Sequence, residues 1–408
     1  MERRLKINII SIYFPPETGA ASSRIFNMAM ELQRRGCDVE VITALPNYPQ
    51  GKIFRGYEGS IVVSESVKGI HCRRYWVYPS IDKKPLPRVL SMLSFAVSIF
   101  LALPWLLRRR PDIVITNSPP LLVALSGVII SKLCCARTLT NISDIWPLSA
   151  LELGAIKRGW YYWLLQRIEL AIYRMSEACI AQSAETVTHI KDHVPARTTF
   201  LYRNLDRQSC FLQHMVPFEQ SGLKIVYAGL LGVAQGMLDI CTQVDFKRLG
   251  VELHIYGDGN ERENIQNYVD DHPGCNIVLH KMIPKDDVAE ALSHYHATLI
   301  PLKTTIHGAF PSKIFMAISA GLPIFFSGAG EGAAVVRDHA LGWTSAPGDY
   351  HALSQNIERF KSMGKEEYVR LREDCIRACN TVFDYDSQND ALFEFLMNYY
   401  PRIQAEKE

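Results

Sequence analysis

Short apolar runs alternate with helical hydrophobic patterns along the first half of the chain. Residues 7–12 form an apolar run that predicts a buried strand, and apolar residues three and four positions apart predict a helix over residues 22–35. Gly36 stands where a glycine commonly ends a helix, and the apolar residues 39–43 predict the next strand. A strand, a helix and a second strand in this order form a βαβ unit, and such units build parallel sheets.

The alternation lapses at residues 202–222 and starts again in the second half of the chain. Two series of strands and helices predict two doubly wound α/β domains. We place the first domain at residues 1–203, joined by a C-terminal helix at 384–408, and the second domain at 204–383. The remaining strand candidates are residues 71–77, 112–116, 138–142, 178–181, 224–229, 252–257, 276–279, 297–301 and 322–326.

The composition excludes several classes of protein. The chain has 408 residues, 48% apolar and 21% charged, which is typical of globular proteins and excludes disordered, collagen-like and coiled-coil chains. With 44 basic and 42 acidic residues it lacks the basic excess of nucleic-acid-binding proteins, so we expect no nucleic-acid partner. Its ten cysteines show no metal-binding spacing, and we expect free thiols in the reducing cytoplasm. The first apolar run is too short for a signal peptide.

Residues 89–107 contain no charge and, as a helix, would extend about 28 Å, close to the thickness of a bilayer core. Three serines along one face (Ser91, Ser94 and Ser98), a proline near the end and the position between two strands of one sheet argue against a spanning helix. A spanning helix and a helix buried in its own domain remain alternatives. We favour a helix that packs by one face and inserts the other into lipid, with the basic and aromatic residues 157–163 as a second contact.

The loop after the first strand has the chemistry of an anion site. Gly19 and Ala20 let backbone N–H groups approach an anion where residues 15–23 lead into a helix, and the helix dipole favours negative charge there. Arg24, in the first turn, is a candidate partner for a phosphate. The alternative is an ordinary surface arginine.

A second candidate anion site lies in the other half of the chain. Ser312 and Lys313 stand at the start of a predicted helix that could hold a diphosphate, and Lys303 follows the preceding strand and adds positive charge. The Gly-Asp-Gly turn at residues 257–259 lacks the third glycine of a GxGxxG motif, which argues against a dinucleotide dehydrogenase. The Asp-Tyr-Asp sequence at residues 384–386 begins the C-terminal helix, so we interpret it as a helix cap and expect no metal there.

Six segments follow one another at the ends of these predicted strands. They are residues 13–20 (YFPPETGA), 46–51 (PNYPQG), 117–122 (NSPPLL), 144–147 (DIWP), 227–236 (YAGLLGVAQG) and 311–323 (PSKIFMAISAGLP). In this order they resemble glycosyltransferase family 4, within the two-Rossmann-domain GT-B superfamily. The resemblance spans nearly the whole chain. Within the family, the sequence is most similar to the branch that builds bacterial surface polysaccharides such as capsule, O-antigen and exopolysaccharide.

The resemblance implies a GT-B fold, with two Rossmann-like domains facing a central cleft and a C-terminal helix that returns to the first domain. It implies an acceptor-binding first domain, a donor-binding second domain and retaining transfer from a nucleotide-diphosphate sugar, for which we expect UDP. The implied acceptor is a lipid-linked saccharide, and the implied location is the inner face of the cell membrane. Neither a metal ion nor a cofactor is implied.

The resemblance also suggests roles for single residues. Asp144 corresponds to a residue that reaches the sugar or the acceptor, as a hydroxyl ligand or a base, although capping the loop before Pro147 is an equal alternative. We group Asp144 with Lys313 as catalytic, and Glu331 corresponds to a loop near the base and ribose. The other candidates are, for the donor phosphates, Gly19, Ala20, Arg24, Gly229, Gln235, Lys303 and Ser312 and, for the base and ribose, Gly257, Asp258, Met282 and Met316.

This sequence departs from the family pattern at the donor site. The family carries two glutamates at the positions of Gly308 and Met316. Met316 cannot accept hydrogen bonds from ribose hydroxyls, so we expect Glu331 to contribute to nucleotide binding. Leu230 and Gln235 replace the usual cations of the first donor loop. Two alternatives therefore remain: a non-catalytic relative that acts as an assembly partner at the membrane surface, and a nucleotide-sugar 2-epimerase.

Overall fold

The chain divides into two compact units, each with its own parallel sheet. The computed structural model describes residues 3–80, 85–205, 207, 216–219, 221–283 and 287–399. The first unit consists of Met1–Asn204 and Asp386–Glu408, and the second of Leu205–Tyr385. The predicted α/β class with parallel sheets is confirmed.

The first unit is built on one eight-stranded sheet. Its strands are β1 (Lys6–Ile10), β2 (Asp38–Ala44), β3 (Val62–Val67), β4 (Ile70–Tyr75), β5 (Ile113–Ser118), β6 (Arg137–Ile142), β7 (Ala178–Ala181) and β8 (Thr198–Leu201). They lie in the order β3-β4-β2-β1-β5-β6-β7-β8, and every neighbouring pair is parallel except the antiparallel pair β3 and β4. Every residue of β5 is buried, as is typical of a central parallel strand covered on both faces.

The helices of this unit follow the strands in the βαβ manner. They are α1 (Ala20–Arg34), α2 (Pro85–Ser98), α3 (Leu103–Arg109), α4 (Leu121–Leu133), α5 (Leu148–Glu152), α6 (Trp160–Met175) and α7 (Ala184–His193). Helix α1 buries Ile25, Met28 and Leu32 against the sheet, which are the apolar positions that predict it.

The second unit is built on a six-stranded, fully parallel sheet. Its strands are β9 (Leu223–Ala228), β10 (Val251–Tyr256), β11 (Ile277–His280), β12 (Ala297–Pro301), β13 (Ile324–Ser327) and β14 (Gly342–Ser345). They lie in the order β11-β10-β9-β12-β13-β14. The helices are α8 (Met237–Gln243), α9 (Phe246–Leu249), α10 (Arg262–Asp271), α11 (Val288–Ser293), α12 (Lys313–Ser319), α13 (Glu331–Asp338), α14 (Tyr350–Lys361) and α15 (Lys365–Asn380).

The last described helix, α16 (Tyr385–Met397), packs on the first unit. Leu392 and Leu396 are fully buried in the apolar cluster that also contains residues of β1 and α1. The hydroxyl of Tyr202 donates a hydrogen bond to Asn389 Oδ1, 2.9 Å away. These contacts give the C-terminal helix a place in the first unit although it follows the second in sequence.

The uncharged segment 89–107 forms a bent helical stretch. Helix α2 is followed by a 3₁₀ turn, Ile99–Ala102, and then by α3, which has Pro104 in its first turn. By length and composition alone, Pro87–Arg109 is the one stretch of the described residues that could cross a membrane, with mean hydropathy 2.1 and one third of its most apolar part buried. The serine stripe faces the protein: Ser98 Oγ donates to the carbonyl of Trp76 (2.6 Å), and Ser94 Oγ accepts from the N–H of Tyr78 (2.8 Å).

Candidate functional site

The candidate residues of each unit lie in the loops and helix starts that follow parallel strands. In open α/β sheets, ligands bind outside the carboxyl ends of the strands. In the second unit the candidates follow β9, β10, β11, β12 and β13, and in the first unit they follow β1 and β6. Each unit therefore carries its own group of candidate residues at this edge of its sheet.

Lys313 is the centre of the group in the second unit. It begins α12, and its Nζ donates a hydrogen bond to the Tyr227 hydroxyl, 2.9 Å away, while lying 4.0 Å from the centre of the same ring. Gly229 makes this position possible, because a Cβ at that residue would lie 2.3 Å from Nζ. The φ of +148° at Gly229 is also one that side chains with a Cβ rarely adopt.

Among the residues that the structure describes, the ammonium of Lys313 has no acidic partner. Burial alone lowers the pKa of Lys313 to about 7, and among the described residues no carboxylate pairs with it. An anion bound beside it would favour the charged form and raise that pKa again.

The glycine loops after β9 and β10 pack directly on each other. A Cβ at Gly257 would lie 2.0 Å from the carbonyl oxygen of Gly229, so no larger residue fits there without movement. The N–H of Leu231 donates to the carbonyl of Asp258, 2.9 Å away. The Asp258 side chain is exposed, and its Oδ1 accepts from the N–H of Gly259. The structure thus joins the two loops that contain Gly229, Gly257 and Asp258.

Gln235 and Lys303 lie along the same edge in different environments. Gln235 Oε1 is buried and accepts no hydrogen bond from the described residues. Lys303 is half-exposed, and its Nζ forms an ion pair with Asp239 Oδ2 at 2.7 Å. Lys303 is therefore neutralised by Asp239, so a phosphate would have to compete with this carboxylate.

The remaining candidates of the second unit are spread over four elements. Ser312 is exposed immediately before α12, and Glu331 is in the first turn of α13. Met316 packs against the apolar cluster around α12, whereas Met282 follows β11 and is 70% exposed. Gly308 is buried with a φ of +79°. The two methionines thus lie in different surroundings.

Arg24 and Asp144 form the group in the first unit. Arg24 is 6% exposed, so it is not an ordinary surface arginine, and its guanidinium donates to Gln182 Oε1. Its Nε is buried and has no hydrogen-bond partner among the described residues. Burial lowers the pKa of Arg24, and the carboxylate of Asp144 opposes this. Conversely, burial raises the pKa of Asp144 and Arg24 lowers it, so each stabilises the charged form of the other.

Gly19 and Ala20 lie where the first-strand loop enters α1. Gly19 has a φ of +133° and precedes Ala20, the first helical residue. No side chain caps α1, so the N–H groups of its first turn are not satisfied in the usual way by a serine or aspartate. This geometry fits the predicted approach of backbone N–H groups to an anion.

Three side chains that complete these groups were not identified from the sequence. Tyr227 holds the Lys313 ammonium, and Gln182 accepts the hydrogen bond of Arg24. Glu17 is 3% exposed and accepts hydrogen bonds from backbone N–H groups of two loops. One sign of Glu17 was present in the sequence, because it is the single acid in an otherwise uncharged loop. Nothing local marked Tyr227 or Gln182.

The His, Cys, Asp and Glu side chains, which are the usual metal ligands, are dispersed over the described part of the chain. Within it, no group of three or more His, Cys, Asp or Glu side chains is arranged to hold a metal ion. The nine cysteines that the structure describes are free thiols.

Two protein-family models match the chain, and together they cover most of it. The glycosyl transferase 4-like domain matches residues 19–203, and the glycosyl transferases group 1 model matches residues 223–362. With two parallel-sheet α/β units, the fold and these matches define a two-domain GT-B glycosyltransferase. The chain belongs to this family of transferases, in its family 4 type, and the predicted resemblance is confirmed.

A curated relative agrees with this assignment. The putative colanic acid biosynthesis glycosyl transferase WcaI of Escherichia coli (strain K12) is 27% identical over 259 residues, which cover 59% of this chain and 62% of that protein. The match thus spans less than two thirds of this curated relative.

Solved structures of low identity share the fold. Sucrose-phosphate synthase from Thermosynechococcus elongatus aligns with a TM-score of 0.74 at 14% identity, over 97% of this chain and 99% of that one. Anabaena Alr3699/HepE, solved in complex with UDP, aligns with a TM-score of 0.70 at 14% identity, over 97% of this chain and all of that one. These alignments confirm the predicted GT-B fold class.

Proposed function

We propose that the chain transfers a sugar from a UDP-sugar to a lipid-linked saccharide during assembly of a bacterial surface polysaccharide, with retention of anomeric configuration. The observation that carries this proposal is Lys313, a partly buried ammonium without a carboxylate partner among the described residues, placed beside the glycine loop at Gly229. The WcaI relative is named for colanic acid biosynthesis, and HepE was solved with UDP bound. Both relatives support the choice of donor and product class.

The donor site acts by stabilising the leaving diphosphate. As the bond between the sugar and UDP breaks, negative charge grows on the phosphate oxygen, and a fixed ammonium next to it stabilises the transition state more than the ground state. Lys313 supplies this charge in the second unit. The leaving phosphate itself takes the acceptor proton. We propose that this reaction needs no metal or cofactor.

Arg24 and Asp144 act on the other reactant in this proposal. Asp144 accepts a hydrogen bond from a hydroxyl of the acceptor, and Arg24 opposes the rise in the pKa of Asp144 that burial causes. The first unit would thus bind the acceptor and the second unit the donor.

The face of the 85–109 stretch that points away from the protein supports a location at the membrane surface. The buried residues of the 85–109 stretch lie on its other face and are Ser91, Phe95, Ala96, Ser98, Ile99, Ala102 and Leu106. The exposed large apolar residues of the stretch are Val89, Leu90, Leu93, Val97, Phe100, Leu101 and Leu107. We name the second set the exposed apolar face. Its members follow one another at helical spacing, and large apolar faces of this kind mark contacts with lipid or protein.

A second group of exposed aromatic and basic side chains lies at the start of α6 and just before it. Trp160 is 79% exposed and Trp163 is 58% exposed, and Lys157 and Arg158 precede them in the chain. Exposed tryptophans and cations are typical of side chains that lie at lipid headgroups. We therefore propose peripheral association with the cytoplasmic face of the membrane, through residues 89–107 and 157–163, rather than a spanning helix.

A transfer assay tests the function. Purified protein is incubated with radiolabelled UDP-sugars, one at a time, and with lipid extracted from bacteria that make a surface polysaccharide. We expect label from one donor to enter the butanol-soluble lipid fraction, and Lys313→Met to abolish this. Absence of transfer from every donor, or undiminished transfer by Lys313→Met, would contradict the proposal. Hydrolysis or isomerisation of a nucleotide sugar without an acceptor would instead indicate an epimerase.

A further inference from the structure

Two tyrosines beside the first-strand loop have no role in the function proposed above. Tyr13 follows β1 and Tyr48 follows β2, and their rings meet edge to face, with centroids 5.6 Å apart and planes at 60°. Tyr48 is 42% exposed, and its ring edge lies 3.7 Å from where a Cβ of Gly19 would be. This tyrosine pair therefore stands at the carboxyl edge of the first sheet, next to the candidate anion loop.

A buried carboxylate fixes the backbone that carries Tyr48. Glu17 Oε1 accepts hydrogen bonds from the N–H groups of Asn47 and Tyr48, each at 2.9 Å. Its Oε2 accepts a longer one from the N–H of Phe14, at 3.4 Å. Burial raises the pKa of Glu17, while these hydrogen bonds lower it and favour the ionised form. Glu17 thereby fastens the loop after β2 to the loop after β1.

A second buried charge holds the same loops from β4. Arg74 is fully buried, and its guanidinium donates to the carbonyls of Pro15 and Ala44. Its Nε donates to the carboxylate of Glu65, in β3. The tyrosine pair is therefore held in place by two buried ionisable groups, before any ligand is present.

We propose that the tyrosine pair is the binding platform for a sugar ring of the acceptor saccharide, and that Glu17 is its positioning residue. A sugar presents an apolar C–H face and a rim of hydroxyls, and tyrosine presents an apolar ring and a phenol hydroxyl that match both. Fixed aromatic side chains also lose little conformational entropy on binding. This inference rests on the proposed function, because the saccharide is the acceptor of that reaction.

The tyrosine pair also adjoins the helix that carries the exposed apolar face. Burial raises the pKa of Tyr13, and Arg88 of α2 is near enough to oppose this. Tyr13 packs against the apolar cluster that contains Phe95 of the same helix. Tyr13 therefore lies near α2, whose other face is exposed and apolar.

Saturation-transfer NMR with soluble glycosides tests the site without requiring transfer. The probes are the methyl glycosides of glucose, galactose, fucose and N-acetylglucosamine. We expect at least one to bind the full-length protein, and Tyr48→Ala to weaken that binding about tenfold, as loss of a stacked ring does. Tyr48→Phe should bind nearly as well as wild type, and Glu17→Gln should be intermediate. Tyr161→Ala, which removes a tyrosine of similar exposure (38%) from α6, is the matched control.

The outcomes separate this site from the proposed function. Absence of binding by every glycoside, or an equal loss in Tyr161→Ala, would overturn the inference. So would a loss of UDP affinity instead of glycoside affinity in Tyr48→Ala, because the pair would then stack on a base. Glycoside binding that depends on Tyr48 in a protein without UDP binding or transfer would uphold the site and reject the proposed function.

Discussion

Replacing Lys313 with methionine should stabilise the folded protein while abolishing nucleotide binding. The ammonium lies against Tyr227 and Gly229 without an acidic partner among the described residues, and burial lowers its pKa to about 7 from 10.5. The unfolded chain carries this charge freely at neutral pH. Folding must therefore desolvate or neutralise it, which opposes folding.

The magnitude follows from the two pKa values. At ~1.4 kcal/mol per pH unit, burying Lys313 costs about 4 kcal/mol at pH 7. The hydrogen bond to Tyr227 and the contact over its ring offset about 2 kcal/mol of this. Methionine keeps an apolar stem of similar length, so we expect the variant to gain about 2 kcal/mol in free energy of unfolding. For a chain of 408 residues this corresponds to about 2 °C in the unfolding midpoint.

The gain in stability of Lys313→Met becomes smaller as the pH rises. Because the pKa of Lys313 is lowered in the folded state, its destabilising effect is complete below pH 7 and declines as the pH rises from 7 towards 10.5. Thermal unfolding of wild type and Lys313→Met at pH 7 and pH 9.5 measures this. Lys303→Met, which removes a half-exposed lysine, is the matched control and should change stability little. A variant less stable than wild type at pH 7, or equally stabilised at both pH values, would refute the reasoning.

Three further changes test other parts of the account. Leu93→Glu should weaken co-flotation with anionic phospholipid vesicles about tenfold, because it places a charge on the exposed apolar face, whereas Leu133→Glu on α4 should not. Gly229→Ala should lower UDP affinity in calorimetry about tenfold, since its Cβ would displace the Lys313 ammonium; Gly222→Ala, also at positive φ but without contacts, controls for backbone strain. Asp144→Asn should reduce sugar transfer about 100-fold and leave UDP affinity unchanged, and a parallel loss of both would contradict its assignment to the first-unit reactant.

The strands that the sequence predicted best are apolar and buried. Residues 178–181 and 297–301 coincide with β7 and β12, which are buried at every position. Strand β3 was not predicted, because its alternating exposed and half-buried residues have no long apolar run and it lies at the sheet edge. Strands β8 and β14 were also missed, because each has only four residues and lies at an edge of its sheet. Hydrophobic pattern therefore predicts the centre of each sheet but only one of the four edge strands, β11, which was predicted at residues 276–279.

Motif order predicted which loops form the candidate sites but not how their side chains pair. The hydrogen bond from Lys313 to Tyr227 joins residues 86 positions apart, and that from Arg24 to Gln182 joins residues 158 positions apart. Only the sheet order brings such residues together. Lys303 looked like a free cation in the sequence, and its pairing with Asp239 depends on the same long-range arrangement.

Nucleotide binding at Lys313 is the central claim, and a nucleotide panel in thermal unfolding tests it most directly. Full-length wild type and Lys313→Met are heated with UDP, GDP, ADP or dTDP at millimolar concentration, at pH 7 and pH 9. A ligand that binds only the folded state at about 100 times its Kd stabilises it by about 2.7 kcal/mol. We predict that UDP raises the wild-type midpoint, less at pH 9 than at pH 7 because the Lys313 ammonium is then neutral, and that the variant shows no rise. No rise with any nucleotide, or the same rise in Lys313→Met, would contradict it.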